Sequence, residues 1–585
     1  MRTAIVVSSH LRCPLAWFCL VVSGIATGLA GDLDTIGITA LRARQPGLTG
    51  SGVVVAMAEA TVTAGSTVYQ PNPAAVSLDP AKFTFFDGST AYPTSAGFSA
   101  SNESWHADLV AGHFFGPAGA APGVAAIEIF YAGYFLPNII WPSAGIGAKV
   151  VNQSFIFDGQ DTTADSYYDS YADSHGVLFV NGLNNGSGTV PPSPATMYNG
   201  IAVGLENGGS STGPTGTDGR CKPDIVAPSS ATSYATPYVS GSAAILIQAG
   251  TRGDGGNGTE TSAVDPRAVK ALLLNGALKP PGWTRQSSEP LDRHFGAGLL
   301  NVNRSHLQLS GGRHSPTISS NDIPGSAHLP PPGISGNVTS LSGWNFSTIT
   351  HPFISDNYQD CADNYFFDLP SSQSGAYQAV CTLVWNRHNG QMNELDLFLY
   401  DANTNALVAS STSGVDNVEH LYLIDFPAGR YVLQVFKPLA RAVSESETYA
   451  LAFDFSPFTA LESWRNDYFH TTASTGIAAD QNDFDGDGLP NLVEYALGTD
   501  PVIASQAASA GTVEADGPNS YLTLTVNRVE VKPGVTYIVE TGNDLAGWSQ
   551  DVTVLENTPA RLKVRDNTPL GTGIKRFMRL RVTAP

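Results

Sequence analysis

Between residues 31 and 305 short apolar runs alternate with helical patterns, and this alternation limits the fold more than any other feature. Gly52–Ala58 reads as a buried strand ending at Glu59, and Ala107–Phe115 as a helix. Val124–Tyr131, Ala148–Ser154, Gly176–Val180 and Ile201–Gly204 are further apolar strands. Asp265–Asn275 predicts a helix with Asp265 as N-cap and Pro266 at its first position. Strands separated by helices return in the same direction, so an α/β domain built on a parallel sheet is expected. Sites in such sheets form where strands end and helices begin.

One segment at such a junction carries chemistry. In Ser229–Ala249 a small polar run leads into an apolar helix, with Pro237 suited to a first helical turn. Ser233 then lies at or just before a helix N-terminus, where free N–H groups and the dipole favour developing negative charge. A serine there is either an N-cap or a nucleophile.

At 585 residues the chain predicts several domains. A formal net charge of −21 argues against a nucleic-acid partner. Arg2 and Arg12, the apolar run Leu15–Val22 and the small residues Gly28-Leu29-Ala30 have the layout of a signal peptide cleaved after Ala30. A secreted protein with no later membrane span is expected, either released or associated with the cell surface. Cys13 and Cys19 leave with the signal, and Cys221, Cys361 and Cys381 remain. Export would allow Cys361 and Cys381 to pair, leaving Cys221 as a buried small residue.

Four segments combine: Glu59 at a strand end, His106 at the start of a helix, Leu183-Asn184-Asn185-Gly186 after a strand, and Ser233. With Val151-Asn152-Gln153-Ser154 and the run Gly219–Pro228, this order resembles the subtilisin-like serine proteases. The resemblance covers about half the chain. It implies that Ser233 is the nucleophile, His106 the general base, and Glu59 the carboxylate that orients the imidazole, where the family has Asp. Asn185 is the implied oxyanion donor, with Asn184 the alternative if the register slips by one.

Departures accompany it. Glu59 precedes Ala60-Thr61, and His106 precedes Ala107-Asp108-Leu109. Ser154-Phe155-Ile156 stands where the family lines the pocket for the residue before the cut bond, and the bulk of Phe155 and Ile156 predicts a narrowed pocket. Asp34–Gly37 resembles the mature start of the family's domain, which implies folding unaided or with help from downstream modules. These departures keep a second expectation open: a protease-like extracellular binding or adhesion protein.

The Ser-, Gly- and Pro-rich stretch 306–340 reads as a linker. Residues 341–457 are all-β and resemble the jelly-roll-like β-sandwich that follows some secreted subtilisin-like enzymes. Glu394, Asp396, Asp416 and Glu419 there are either calcium ligands or a solvated strand face. In 458–501, Asp483, Asp485, Asp487, Gly488, Leu489 and Glu494 match a twelve-residue calcium loop. Three aspartates offer converging oxygens, Leu489 its carbonyl, and Glu494 a bidentate carboxylate, so a structural Ca²⁺ is expected. Residues 502–585 alternate as a terminal β module. The expected function is hydrolysis of protein or peptide substrates by a secreted serine endopeptidase.

Overall fold

The computed structural model describes residues 31–584 except 62–67, 87–94, 257–259, 320–328, 355–356, 372–375, 506–508 and 572–574. Before residue 31 it gives only extended backbone at 3–8 and 21–22, so the signal-peptide segment lies outside the described residues. The chain divides into two units, 31–457 and, by the C-terminal part, 458–585.

The first unit is built on seven parallel strands: β1 (Val54–Glu59), β2 (Phe83–Phe86), β3 (Ala126–Tyr131), β4 (Val150–Gln153), β5 (Leu178–Gly182), β6 (Ile201–Leu205) and β7 (Ile225–Ala227). Their order is β7-β6-β5-β4-β1-β3-β2, with the short piece Ser95–Ala96 antiparallel at the β2 edge. Every residue of β4, β5, β6 and β7 is buried. Burial on both faces is why these strands are largely apolar, with Asn152, Gln153 and Asn181 as buried polar exceptions. The helices are α1 (Trp105–Phe114), α2 (Thr162–His175), α3 (Thr232–Thr251), α4 (Pro266–Asn275) and α5 (Val302–Ser310). Helix α3 runs through the core, and a Cβ on Gly241 would come within 2.3 Å of the Ala120 Cβ, so glycine lets the helix approach that turn.

Helix α2 escapes an apolar-periodicity reading because its sequence is mostly polar. Its ends carry the signals instead: Asp161 caps the N–H groups of Thr163 and Ala164, and Gly176 closes it at φ 61°. His175 is its last residue.

Residues 342–457 form two four-stranded antiparallel sheets. One contains β8 (Ser342–Thr350), β10 (Tyr377–Trp385), β13 (Val418–Phe426) and β15 (Ser446–Pro457), in the order β8-β15-β10-β13. The other contains β9 (Cys361–Leu369), β11 (Asp396–Asp401), β12 (Leu407–Ser411) and β14 (Gly429–Lys437), in the order β9-β14-β11-β12. Both contribute to one apolar core that includes Phe367, Leu399 and Leu433 from one sheet and Trp385, Leu421 and Phe453 from the other. Cys361 and Cys381 lie in that core on strands of different sheets and are not joined by a disulfide, the pairing that the sequence left open. Cys381 is accommodated there as a small apolar group, and the Cys361 sulfur also lies 3.4 Å from His351 Nδ1. Cys221 is buried and free as expected.

The stretch 306–340 differs from a free linker in its described parts. Helix α5 occupies its start, Thr317 N–H bonds the Asn364 carbonyl at 2.8 Å, and Val338 N–H bonds the Phe366 carbonyl at 2.7 Å. The ends of the stretch are thus laid along β9. The two-sheet region is also continuous with the parallel-sheet core: Trp344, Val384, Val418, Ala450 and Ala452 pack in the same cluster as Leu272 and Val269 of α4. Polar contacts add to this seam. Asn199 Nδ2 donates to the Arg387 carbonyl at 2.8 Å, and the Arg220 and Arg387 guanidiniums lie 3.6 and 4.8 Å from the Tyr198 ring centroid.

The second unit contains α6 (Ala460–Phe469), α7 (Asn491–Leu497) and a β region. Its strands are β16 (Ser509–Asp516), β17 (Asn519–Asn527), β18 (Thr536–Gly542), β19 (Val552–Thr558), β20 (Arg561–Asp566) and β21 (Phe577–Thr583). The order β16-β17-β20-β19 makes one antiparallel sheet, and β18 pairs with β21. Leu492, Val493 and Leu497 of α7 pack with Leu524, Val564 and Leu580 in its core. Among the described residues no helix is long and apolar enough to cross a membrane.

Candidate active site

Glu59 ends β1 and is 1% exposed. His106 is the second residue of α1, whose N-cap Ser104 accepts a bond from Ala107 N–H. His106 Nδ1 lies 3.0 Å from Glu59 Oε2. An ionised carboxylate only accepts, so the imidazole proton resides on Nδ1 and Nε2 is left as the basic nitrogen. The second oxygen, Oε1, is buried without a hydrogen-bond partner. Burial raises the Glu59 carboxyl above its ordinary value, against the pull of the His106 bond. For His106 burial acts downward, but the bond to Glu59 and its charge outweigh it and the imidazole sits above its usual value of 6.5.

Ser233 is the second residue of α3. The N-cap is Ala231, whose side chain cannot cap, and no partner for the Ser233 N–H occurs among the described residues. Pro237 corrects the sequence reading: it is the sixth residue of α3, not in its first turn. A proline there lacks the N–H that would reach back to the Ser233 carbonyl. Ser154 Oγ donates to that carbonyl instead, at 2.9 Å. Ser154 is held in turn by Asn152 Nδ2 at 3.0 Å, and Asn152 Oδ1 accepts from Ser240 Oγ at 2.9 Å. This buried chain fixes the start of α3 from inside the protein. Ser233 Oγ lies 3.5 Å from the Ser154 carbonyl, and among the described residues no hydrogen bond joins it to His106. Nucleophile–base contacts are often long before substrate is bound.

Asn185 Oδ1 accepts from Thr232 N–H at 2.8 Å and lies 3.1 Å from Thr232 Oγ1. A backbone N–H can only donate, so the amide carbonyl faces Thr232 and Nδ2 is left without a protein partner among the described residues. Asn184 is occupied differently: its N–H bonds Ser211 Oγ at 3.2 Å and its carbonyl accepts from Ser211 N–H. The structure therefore brings Asn185, rather than Asn184, against the residue preceding Ser233.

Ser154 is buried beside Ser233, whereas Phe155 and Ile156 diverge. Phe155 packs on the apolar cluster containing Phe130, Tyr168 and Phe179, and its ring lies 6.1 Å from that of Phe157. Ile156 is 40% exposed. Part of the bulk expected to narrow a pocket is thus absorbed by the core. The polar groups around Ser154 were missed from the sequence, because Asn152 and Ser240 are distant along the chain and only the fold joins them.

The run Gly219–Pro228 has a structural explanation. Lys222 Nζ bonds Asp224 Oδ2 at 2.7 Å and Lys270 approaches Oδ1 at 3.5 Å, all three buried below the sheet edge. Burial lowers Lys270 to about 8, and the charge of Asp224 opposes this.

In the second unit Asp483, Asp485 and Asp487 gather carboxylate oxygens within 4.8 Å of one another. Asp483 accepts from the N–H groups of Gly486 and Gly488, and Asp487 Oδ1 from Leu489 N–H at 2.8 Å. Asp485 Oδ2 and Glu494 Oε2 are buried without partners. Burial, with the charges of Asp485 and Asp487, pushes Glu494 up to about 8. These are the properties of a set of hard oxygen donors suited to a divalent cation.

The acids of residues 394–419 are not a solvated face. Asp416 accepts from Cys221 N–H at 2.9 Å, and Glu419 from Ser411 Oγ and Ser413 N–H, so both are buried and engaged by protein donors. Glu394 pairs with Arg441 at 3.2 Å. Burial, then the charge of Glu394, raises Asp396 to about 7.

Residues 50–298 match the Subtilase family of peptidases. No curated protein matches the chain. Solved structures with some likeness include a protease from Pseudoalteromonas arctica, 18% identical over 46% of this chain and 94% of that one, TM-score 0.33. Fervidolysin from Fervidobacterium pennivorans, a keratinolytic enzyme related to subtilisin, is 15% identical over 67% of this chain and 69% of its own, TM-score 0.32. The PatG macrocyclase in complex with peptide is 16% identical over 48% of this chain and 98% of its own, TM-score 0.37. The family match covers the strand end bearing Glu59, the helix start bearing His106 and the helix start bearing Ser233, and over residues 50–298 it supports a serine peptidase.

Proposed function

We propose that this protein is a secreted serine endopeptidase that cuts peptide bonds through an acyl-enzyme. The observation that carries the reading is the 3.0 Å His106–Glu59 contact beside a serine at a helix start whose own N–H has no partner among the described residues. His106 Nε2 takes the Ser233 proton as Oγ attacks the carbonyl carbon. The Ser233 N–H, Asn185 Nδ2 and the N-terminal dipole of α3 meet the negative oxygen that forms. As the C–N bond breaks, His106 passes the proton to the leaving amine, and water then enters by the same route to free the acid. Glu59 stays ionised, fixes the tautomer and stabilises the imidazolium.

Export rests on the Arg2–Ala30 layout. Ca²⁺ is the proposed ligand of Asp483, Asp485, Asp487, the Leu489 carbonyl and Glu494, supported by the two unpartnered buried oxygens. When bound, it neutralises the clustered charge and ties the loop to α7.

The test is a fluorophosphonate probe with casein as substrate, wild type beside Ser233→Ala. Labelling and cleavage that vanish in the variant are expected. A folded wild type that neither labels nor cleaves favours the second reading, an extracellular binding protein, which Glu59 in place of aspartate and the altered segment after His106 keep open.

A further inference from the structure

At the end of the parallel sheet where its strands begin, a cavity of about 590 Å³ opens between the start of β1, the residues before β4 and the last turn of α3. Strand β1 runs six residues from there to Glu59, so about 20 Å separates the cavity from the candidate active site. Val53, Val54, Ile247, Val264 and Pro266 give it apolar walls, and its volume lies in the range of small-ligand sites.

Most polar groups around those walls are already engaged. Ser51 N–H bonds Gln248 Oε1, Gly147 N–H bonds Glu128 Oε1, Gly176 N–H bonds the Ala172 carbonyl, and the Val54 carbonyl accepts from Lys149 N–H. Arg252 is paired with Asp254 at 2.6 Å, and Asp265 with Arg267 at 2.9 Å. The Lys149 side chain differs. It is exposed, it lines the cavity, and no hydrogen bond or ion pair of its Nζ occurs among the described residues. The chain holds 51 acidic against 30 basic residues, yet this ammonium has no carboxylate and stands beside an apolar recess. Its charge is left for an anion from outside.

With the main-chain groups paired, a peptide backbone finds little to bond here. A ligand gains from one charge and an apolar tail. We propose that this cavity binds an aliphatic monocarboxylate, its carboxylate on Lys149 and its chain against Val53, Ile247 and Val264. Binding there is independent of the chemistry at Ser233.

The probe is octanoate, titrated with the intact protein and followed by the NMR shift of its carboxyl carbon. Each buried methylene is worth about fourfold in affinity, so octanoate should bind about 15-fold more tightly than hexanoate, with a Kd below about 1 mM. Lys149→Met keeps the apolar stem and removes the charge, and should weaken octanoate about tenfold or more. Lys149→Glu should abolish octanoate binding and take up octylammonium, which wild type does not hold. Lys149 is exposed, so both variants should keep the wild-type Tm. Octanoate bound equally by wild type and Lys149→Met, equal affinity for hexanoate and octanoate, or no binding of octanoate below its micelle concentration overturns the site.

Discussion

The carboxylate of Glu59 reaches His106 at 3.0 Å from the last residue of its strand, so the extra methylene relative to aspartate leaves a direct contact with the imidazole. Glu59→Gln keeps the shape but removes the charge and favours the wrong tautomer, and kcat/KM should fall on the order of 10³–10⁴-fold. Glu59→Asp pulls the carboxylate back by about 1 Å or more, with a loss near a hundredfold. Kinetics on one peptide ester decide it: an aspartate variant faster than wild type would show the glutamate to be a defect.

The same contact sets a pH limb. Net of burial, Glu59 holds His106 above its usual 6.5. Activity needs the neutral imidazole, so kcat/KM should fall as pH drops through a value above about 6.5. In Glu59→Gln the limb should move to lower pH. A flat profile down to about pH 5 contradicts the role of His106.

Asn185 is anchored through its carbonyl to Thr232, which leaves its Nδ2 to donate. Asn185→Leu should lower kcat by about 10²–10³-fold with little change in KM, the loss typical of one oxyanion donor. An equal loss in Asn184→Ala, measured alongside, would reassign the donor.

His388 joins the two parts of the first unit. Its Nδ1 lies 2.8 Å from Asp173 of α2 and its Nε2 2.9 Å from buried Glu447. The bonds to Asp173 and Glu447 raise it to about 10. A raised folded-state value means the stabilisation is full below about 6.5 and is lost as pH rises towards 10. The His388 side chain is 37% exposed, so solvent screens these bonds, and His388→Gln should cost about 1 kcal/mol near neutral pH, read as a lower Tm, with the difference from wild type shrinking above about pH 10. A pH-independent difference would assign His388 to packing alone.

Calcium should raise the Tm of the second unit. At a free concentration a hundredfold above Kd the gain is about 2.7 kcal/mol. Chelation should reverse it, and Glu494→Gln should lose most of the response, followed by calorimetric titration of the intact protein. A wild type that binds no Ca²⁺ at millimolar concentration rejects the site.

Some of this could be read along the chain because local chemistry settles it. Apolar runs marked five of the seven parallel strands, missing Phe83–Phe86 and Ile225–Ala227, Asp265-Pro266 marked the start of α4, and the order of Glu59, His106, Asn185 and Ser233 marked the candidate site. Other features have no local signature. Helix α2 is polar and shows only in its caps. Ser154, Asn152 and Ser240 become a chain of hydrogen bonds only when β4 is brought against α3. Cys361 and Cys381 look like a pair in sequence, yet the strands that carry them belong to different sheets and no disulfide joins them.

Residue type and order therefore determined which groups could do chemistry here, since periodicity and helix-start signals act over a few residues. Tertiary structure alone decided what each group touches: that Glu59 reaches His106, that Pro237 frees a carbonyl for Ser154, and that Lys149 stands beside an apolar cavity. Hydrogen bonds and burial depend on distances between segments far apart in the chain, and only the packed core sets those distances.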